Sequence, residues 1–264
     1  MQKIFNLSNF VITFFTLVNI FASPPRDIPS ELLDAYTQNQ TIPTFTWYFD
    51  ETVETQGHRI YYKEQVQKLI LKAKNRHQNY YGITDKWLYE LIDKNPRLVK
   101  GKKVAIVGSN IPWYEAIVLS YGGYPTTIEY NQIHMEDKRL KYLSVDALKQ
   151  SSEKFDLVIS ISSFEHDGLG RYGDPLNPRG DLEAMKLWKK YIKEGGFMIL
   201  SVPVGKDALV WNAHRIYGPL RLYNLIDGYE MVSSVPDFLE IKNSFFKLEN
   251  NYNNQPIFLL KPLD

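Results

Sequence analysis

The stretch Lys102-Lys103-Val104-Ala105-Ile106-Val107-Gly108-Ser109-Asn110 decides the fold that this sequence predicts. An apolar run that ends in glycine is typical of a buried parallel strand, and the glycine lets the backbone of the next turn approach a ligand closely. Glu129 follows 21 residues after Gly108, within a second apolar run at residues 126–130. In a βαβ unit, an acidic residue at that spacing can bind the hydroxyl groups of a ribose. The two features together predict a nucleotide site.

From residue 101 onward the sequence has the alternation expected of an α/β sheet. Short apolar runs alternate with longer stretches of helical periodicity. The runs predict seven strands, at residues 104–107, 126–130, 140–145, 157–161, 197–202, 229–233 and 257–261. Two helices are predicted between them, at residues 113–121 and 182–194, and Gly195-Gly196 is interpreted as the stop of the second helix. We therefore expect an α/β domain at residues 101–264.

Residues 23–100 lack this alternation. Residues 24–60 hold several prolines and aromatic residues and show no long helical period, so we interpret them as an irregular arm that packs on the main domain. Apolar residues at helical spacing predict two helices, at residues 61–78 and 84–94. Asn95-Pro96 then ends the second helix. Residues 23–100 are thus expected to form an N-terminal arm with helices.

Residues 1–22 have the pattern of a secretory signal peptide. Lys3 supplies a positive charge, residues 10–22 are apolar, and Ser23-Pro24-Pro25 breaks any helix. An apolar segment of this length falls short of the ~20 residues that span a bilayer. We predict cleavage near Ala22 and localisation in the endoplasmic reticulum or Golgi lumen, or secretion. The alternatives are a buried helix and an uncleaved signal anchor. Of these, only the signal anchor would leave a membrane span in the mature chain.

Composition excludes several classes of function. The net charge is +1, with 31 basic and 30 acidic residues, so the chain lacks the large basic surface that nucleic-acid partners require. Cysteine is absent, which excludes disulfides, thiolate metal ligands and cysteine nucleophiles. His166, Asp167 and Asp174 lie close together in sequence, but no further ligands follow at fixed spacing, so we predict no metal site.

Three further motifs follow the first turn in a specific order. They are Leu143-Ser144-Val145-Asp146-Ala147-Leu148, the run from Lys154-Phe155-Asp156-Leu157 to Ser163-Phe164-Glu165-His166, and Gly195-Gly196-Phe197 continuing to Val202-Pro203. In this order the motifs resemble those of the class I S-adenosylmethionine-dependent methyltransferases. The closest resemblance is to a domain-of-unknown-function family known chiefly from nematodes. It implies a Rossmann-like, seven-stranded sheet with a reversed C-terminal hairpin and helices on both faces.

The resemblance also implies how S-adenosylmethionine would be held. Gly108, Ser109 and Asn110 match the turn that holds the methionine part of the cofactor. Glu129 matches the acidic residue that binds the ribose hydroxyls, and Asp146 matches the residue that meets the adenine amine. Each position also has a simpler interpretation: Gly108 as a tight βα turn, Glu129 as a surface residue at a strand end, and Asp146 as a helix N-cap.

The first motif departs from the family pattern, which reads acidic-x-Gly-x-Gly-x-Gly. This chain has Ile106 at the acidic position and Ser109-Asn110 after the first glycine. The missing glycine puts a side chain where backbone should approach the cofactor, and the missing acid removes an acceptor for its ammonium group or for a bound water. A catalytically inactive methyltransferase-like domain that serves as a binding or interaction module is therefore the alternative to an enzyme.

The remaining candidates lie at the expected transfer site. Methylation of a hydroxyl requires a base, for which His166 and then His214 are the candidates. Glu165 and Arg215 are candidates for substrate binding, and Arg215 has the alternative of bracing the loop through a carboxylate such as Glu165 or Asp167. The sequence thus predicts an O-methyltransferase of the secretory pathway. Its acceptor would be a small molecule, or a glycan, which is inferred from the compartment.

Overall fold

The computed structural model describes residues 23–52, 59–79, 81–249 and 253–263, so the predicted signal peptide lies outside the described residues. The strands in these ranges are β1 Thr44–Thr46, β2 Arg59–Tyr61, β3 Lys103–Val107, β4 Tyr124–Glu129, β5 Ile133–Met135, β6 Lys141–Ser144, β7 Phe155–Ile161, β8 Ile192–Ser201, β9 Ala208–Trp211, β10 His214–Ile216, β11 Tyr229–Val235 and β12 Ile257–Pro262. The α-helices are α1 Ser30–Thr37, α2 Lys63–Lys74, α3 Ile83–Lys94, α4 Trp113–Ser120, α5 Val145–Lys149, α6 Gly180–Lys189, α7 Pro219–Leu225 and α8 Phe238–Ser244. Short 3-10 helices cover Pro96–Leu98, Phe164–His166 and Phe245–Lys247.

The main sheet has seven strands in the order β11-β12-β8-β7-β3-β4-β6. Strands β6, β4, β3, β7 and β8 run parallel to one another. Strand β12 is antiparallel to both β8 and β11, which makes the last two strands a reversed C-terminal hairpin. The predicted seven-stranded, methyltransferase-type sheet is therefore confirmed, and the seven predicted runs correspond to these seven strands.

Helices cover both faces of the sheet, as expected. The side chains of a strand alternate between faces, so Ile106 packs in a core with α2, α3 and α4 while its neighbour Ala105 packs in a second core with α5, α6, α7 and α8. In α2 the buried residues recur at the spacing of one helical face, at Val66, Leu69, Ile70 and Ala73. Because both faces are covered, β3 and β7 are apolar throughout their central residues.

The interpretation of Gly195-Gly196 as a helix stop is wrong. Helix α6 ends at Lys189, and both glycines lie inside β8, which begins at Ile192. Gly195 has a φ of +70°, and the pairing of β8 with β7 shifts register at this point. A Cβ on Gly196 would lie 2.9 Å from the Asp156 carbonyl oxygen. The glycines therefore allow an irregularity between two strands, a role that local sequence does not distinguish from a helix terminus.

The arm is more regular than expected. It contains helix α1 and strands β1 and β2. Strand β1 pairs in parallel with β9, which also pairs with β10, and β2 pairs in parallel with β5. These two small sheets fasten the arm to the main domain. No helix in the described ranges combines the length and the hydropathy that crossing a membrane requires.

Candidate functional site

The turn after β3 requires glycine at its first position. Gly108 has a φ of +67°, a left-handed conformation that side chains disfavour. A Cβ there would also lie 2.5 Å from the Ser163 side-chain oxygen, in the segment that follows β7. The turns after β3 and β7 are thus packed against each other, and no larger residue fits at position 108.

The arm fixes the second residue of this turn. The carbonyl oxygen of Ser109 accepts hydrogen bonds from the Tyr61 hydroxyl at 2.7 Å and from Arg59 Nη1 at 2.9 Å. The Ser109 side chain is buried and donates to the Ile111 carbonyl oxygen at 2.9 Å. The contacts from Arg59 and Tyr61 leave no local pattern in the sequence, because about fifty residues separate these side chains from the turn.

Glu115 lies beneath the turn and was missed in the sequence analysis. Its carboxyl group is fully buried; Oε1 accepts a hydrogen bond from the Thr127 hydroxyl at 2.7 Å, and Oε2 lies 3.1 Å from the Ser109 hydroxyl oxygen. Burial raises the pKa of Glu115 to about 7. The signal in the sequence was present, since Glu115 is the one charged residue in the otherwise apolar helix Trp113–Ser120.

The residues matched to the ribose and adenine parts of the cofactor lie at the ends of neighbouring strands. Glu129 ends β4, its side chain is 13% exposed, and its Oε2 lies 3.8 Å from Arg59 Nη1. Burial raises its pKa. Asp146 lies in the first turn of α5 with an exposed side chain, and the interpretation of it as an N-cap is wrong because Ser144 accepts the capping hydrogen bond from Ala147. The cofactor roles of Glu129 and Asp146 stay predictions.

A cleft of about 640 Å³ opens at the carboxyl ends of β3 and β7. These adjacent strands continue into helices on opposite faces of the sheet, α4 and α6, and such a point is where open α/β sheets bind their ligands. Gly108, Ser109 and Asn110 line one wall. Glu165 and His166 line the wall that follows β7. The described residues that line the cleft include neither Glu129 nor Asp146.

Glu165 is buried in the wall of the cleft. In the turn before it, Ser162 has a φ of +51°, a left-handed backbone conformation that residues other than glycine disfavour. The Ser162 hydroxyl donates to Glu165 Oε1 at 2.6 Å, while Oε2 has no hydrogen-bond partner in the described structure. Burial raises the pKa of Glu165 to about 7. The wall of the cleft therefore contains a buried carboxyl group with one oxygen that no donor among the described residues satisfies.

His166 is held in one tautomer. Its Nδ1 lies 2.6 Å from the Ala213 carbonyl oxygen, which can only accept, so Nδ1 carries the proton and Nε2 the lone pair. Burial, and next the positive charge of Arg171, lower the pKa of His166 to about 3. Its Nε2 lies 3.8 Å from Glu165 Oε1. The ring is thus a neutral acceptor at the wall of the cleft.

His214 also lines the cleft. It begins β10, which belongs to the small sheet β1-β9-β10 and not to the main sheet. Its ring is perpendicular to that of His166, with centroids 6.4 Å apart, and 6.2 Å from the ring of Trp47 in the arm. Burial lowers its pKa to about 4. The structure therefore brings the two candidate bases together, and their catalytic role stays a prediction.

Arg215 is fully buried behind the cleft. Its Nη1 donates to the Asp167 carbonyl oxygen at 2.6 Å, and its Nη2 donates to that of Asn177 at 3.3 Å. Its Nε lies 3.6 Å from Asp181 Oδ2. The loop after β7 is thus braced by Arg215 through backbone carbonyls and Asp181, a different carboxylate from those that the sequence suggested. Contact of Arg215 with a substrate stays a prediction.

Arg171 connects the arm to the cleft and was also missed. Its Nη2 donates to Glu51 Oε1 at 2.6 Å, and its guanidinium lies 4.1 Å from the centroid of the Phe49 ring. Both Arg171 and Glu51 line the cleft. The arm therefore forms part of the cleft, and its Glu51 holds Arg171 at the rim in an ion pair.

A family match covers residues 101–256, more than half of the chain. The family is described as Caenorhabditis protein of unknown function, DUF268. The chain belongs to this family. The match spans the turn at Gly108, the cleft wall at Glu165 and His166, and the hairpin that carries His214. The comparison with curated proteins gives no match.

Several solved structures are similar to the chain. One is Burkholderia thailandensis 1,6-didemethyltoxoflavin-N1-methyltransferase with bound 1,6-didemethyltoxoflavin and S-adenosylhomocysteine, with 10% identity, a TM-score of 0.46, and coverage of 92% of this chain and 94% of that one. The CcbJ methyltransferase from Streptomyces caelestis has 10% identity, a TM-score of 0.43, and coverage of 77% and 100%. N-methyltransferase NodS from Bradyrhizobium japonicum WM9 has 12% identity, a TM-score of 0.42, and coverage of 67% and 97%. Similarities at this level say nothing about a ligand of this chain.

Proposed function

We propose that this protein is an S-adenosylmethionine-dependent methyltransferase of the secretory pathway that acts on a hydroxyl group of a small-molecule or glycan acceptor. One observation carries the proposal: the Gly108 turn and the segment with Glu165 and His166 line a single cleft at the switch point of a methyltransferase-type sheet. The order of the motifs in the sequence supports the same cofactor.

The residues around the cleft suit this cofactor. Gly108 lines the cleft with backbone atoms alone, because a side chain at position 108 would overlap Ser163. We propose that Gly108, Ser109 and Asn110 in the cleft wall hold the methionine part. The ribose and the adenine would then extend beyond the residues that line the cleft, to Glu129 at the end of β4 and to Asp146 in α5. A cleft of about 640 Å³ is within the size range typical of small-molecule sites.

When bound, S-adenosylmethionine supplies a methyl group activated by a positively charged sulfur. The protein must then place the acceptor oxygen in line with that methyl group and exclude water. The acceptor hydroxyl must also lose its proton, and His166 Nε2 is an unprotonated acceptor at the cleft wall. His214 is the second candidate. Because burial depresses the pKa of both rings, they are neutral at physiological pH and can accept a hydrogen bond from the acceptor hydroxyl, but the same shift makes them weaker bases than a free imidazole.

A catalytically inactive binding domain is the second candidate. The observation that favours it is the pair between Arg59 and Glu129, which places a cation of the arm on the carboxylate expected to bind the ribose. In this alternative the cleft binds a partner or a glycan without chemistry.

Calorimetry of the full chain with S-adenosylmethionine and S-adenosylhomocysteine separates the two candidates. We expect the parent to bind both ligands and Glu129→Ala to bind them more weakly by about 1.5–3 kcal/mol, the usual contribution of hydrogen bonds to a charged group. Glu194→Ala is the matched control, because Glu194 is an exposed residue of β8 away from the cleft. Unchanged affinity in Glu129→Ala would remove Glu129 from the cofactor site. A parent that binds neither ligand would favour the inactive domain.

A further inference from the structure

We propose that Glu165 binds the ammonium group of the methionine part of the cofactor and thereby replaces the acidic residue that the first motif lacks at Ile106. The inference rests on the proposed function, because it assigns one part of that ligand to one side chain. It identifies Glu165 as a cofactor ligand instead of a substrate ligand.

The first support is the unsatisfied oxygen of Glu165. The side chain is fully buried, Oε1 accepts from Ser162, and Oε2 has no hydrogen-bond partner among the described residues. Leaving a buried carboxylate oxygen without a donor is costly, so such groups are typically completed by a ligand, an ion or water. Glu165 lines the cleft, so a ligand there can supply the missing donor.

The second support is the lack of an available protein cation to balance Glu165 in the described structure. Arg171 is paired with Glu51 at 2.6 Å. Arg215 is engaged by Asp181 and by backbone carbonyls of the loop. The neighbouring His166 is neutral, because burial lowers its pKa to about 3. A positively charged group of a ligand is therefore the natural partner of this carboxylate.

The third support is position. Ile106 and Ile159 are paired residues on the adjacent strands β3 and β7, and the segments that follow these strands touch where Gly108 meets Ser163. A carboxylate from the segment after β7 thus reaches the same cleft as the turn after β3. Glu115 is the other buried acid near this turn, but each of its oxygens already lies within hydrogen-bond distance of a hydroxyl group and it does not line the cleft.

Two ligands test the assignment by calorimetry of the full chain at pH 8. S-adenosylhomocysteine carries the ammonium group, whereas 5′-methylthioadenosine lacks the whole amino-acid part. We expect Glu165→Gln to weaken S-adenosylhomocysteine binding roughly 10- to 100-fold and to leave 5′-methylthioadenosine unchanged within about twofold. Asp137→Asn is the control, because Asp137 is a buried carboxylate that pairs with Arg139 and does not line the cleft, and it should change neither affinity.

The pH dependence of the unmodified protein is a second readout that needs no variant. The charged and titratable groups around Glu165 are Arg171, Arg215, Asp167, His166 and Tyr217. Because burial places the pKa of Glu165 near 7, its carboxylate becomes fully charged between about pH 6 and pH 8. Affinity for S-adenosylhomocysteine should rise over this interval, and affinity for 5′-methylthioadenosine should stay level.

The possible results separate this inference from the proposed function. A parent that binds neither ligand would overturn both. A parent that binds both ligands, with Glu165→Gln weakening both equally or neither, would overturn only the role of Glu165. If Glu165→Gln weakens S-adenosylmethionine but not S-adenosylhomocysteine, the carboxylate faces the sulfonium, and the ammonium assignment is wrong.

Discussion

Replacing Arg215 with alanine tests whether this residue braces the cleft or binds a substrate. The side chain is fully buried and contacts Asp181 and the carbonyl oxygens of Asp167 and Asn177. Alanine would remove all of these contacts at once. It would also leave the carboxylate of Asp181, which is 4% exposed, without its cation.

The expected loss of stability follows from these contacts. Removing one partner of a buried ion pair typically costs about 3–5 kcal/mol, because the remaining charge stays buried and uncompensated. For a domain of this size each kcal/mol lowers the melting temperature by roughly 2–4 °C. We therefore expect Arg215→Ala to melt about 6–20 °C below the parent. Arg215→Lys should fall in between, since an ammonium can pair with Asp181 but cannot span the same set of carbonyls.

Thermal unfolding followed by circular dichroism, with and without S-adenosylhomocysteine, is the appropriate assay. The loss should be present in both conditions, because the bracing contacts do not involve a ligand. Arg179→Ala is the matched control, since Arg179 lies on the same loop with an exposed side chain, and it should change stability by no more than about 0.5 kcal/mol. An Arg215→Ala protein that melts with the parent and loses only turnover would refute the bracing role.

Three further predictions concern catalysis, ionisation and processing. His214→Ala should keep its affinity for S-adenosylhomocysteine and lose roughly 10²- to 10⁴-fold in turnover on an identified acceptor, with the exposed His134→Ala as control. Full turnover would move the role to His166, and an unfolded variant would make His214 structural. Burial raises the pKa of Glu115 from 4.5 to about 7, so its contribution to stability is complete below about pH 4.5 and is lost as the pH rises through 7. Between pH 4.5 and pH 8 the free energy of unfolding should therefore fall by about 3 kcal/mol less in Glu115→Gln than in the parent, as measured by chemical denaturation. If the free energies of unfolding of the two proteins changed in parallel with pH, the raised pKa of Glu115 would be contradicted. N-terminal sequencing of the secreted or microsomal protein should find a mature chain that begins near Ser23, and a retained Met1 would support the anchor or a cytosolic protein instead.

The sequence alone was sufficient to predict the main sheet. A strand covered on both faces must be apolar along its length, so β3, β7 and β12 each produced a short run that can be recognised locally. The same holds for Gly108, where a positive φ and a close neighbour both demand glycine. Gly195 shows the limit of such reasoning, because glycine with positive φ serves equally at a helix end and at a strand irregularity.

Only the tertiary structure decided how the site is assembled. Arg59 reaches Ser109, Glu51 reaches Arg171, and Arg215 organises the loop after β7, although each pair is separated by many residues in the chain. Such contacts leave no periodicity in the sequence, because each polar side chain is held by a partner that is distant in the chain and not by its sequence neighbours. The burial of an acidic side chain is likewise not visible in the local sequence. Glu165 looks like an ordinary acidic residue until the fold removes it from water, and that removal, not the residue type, raises its pKa.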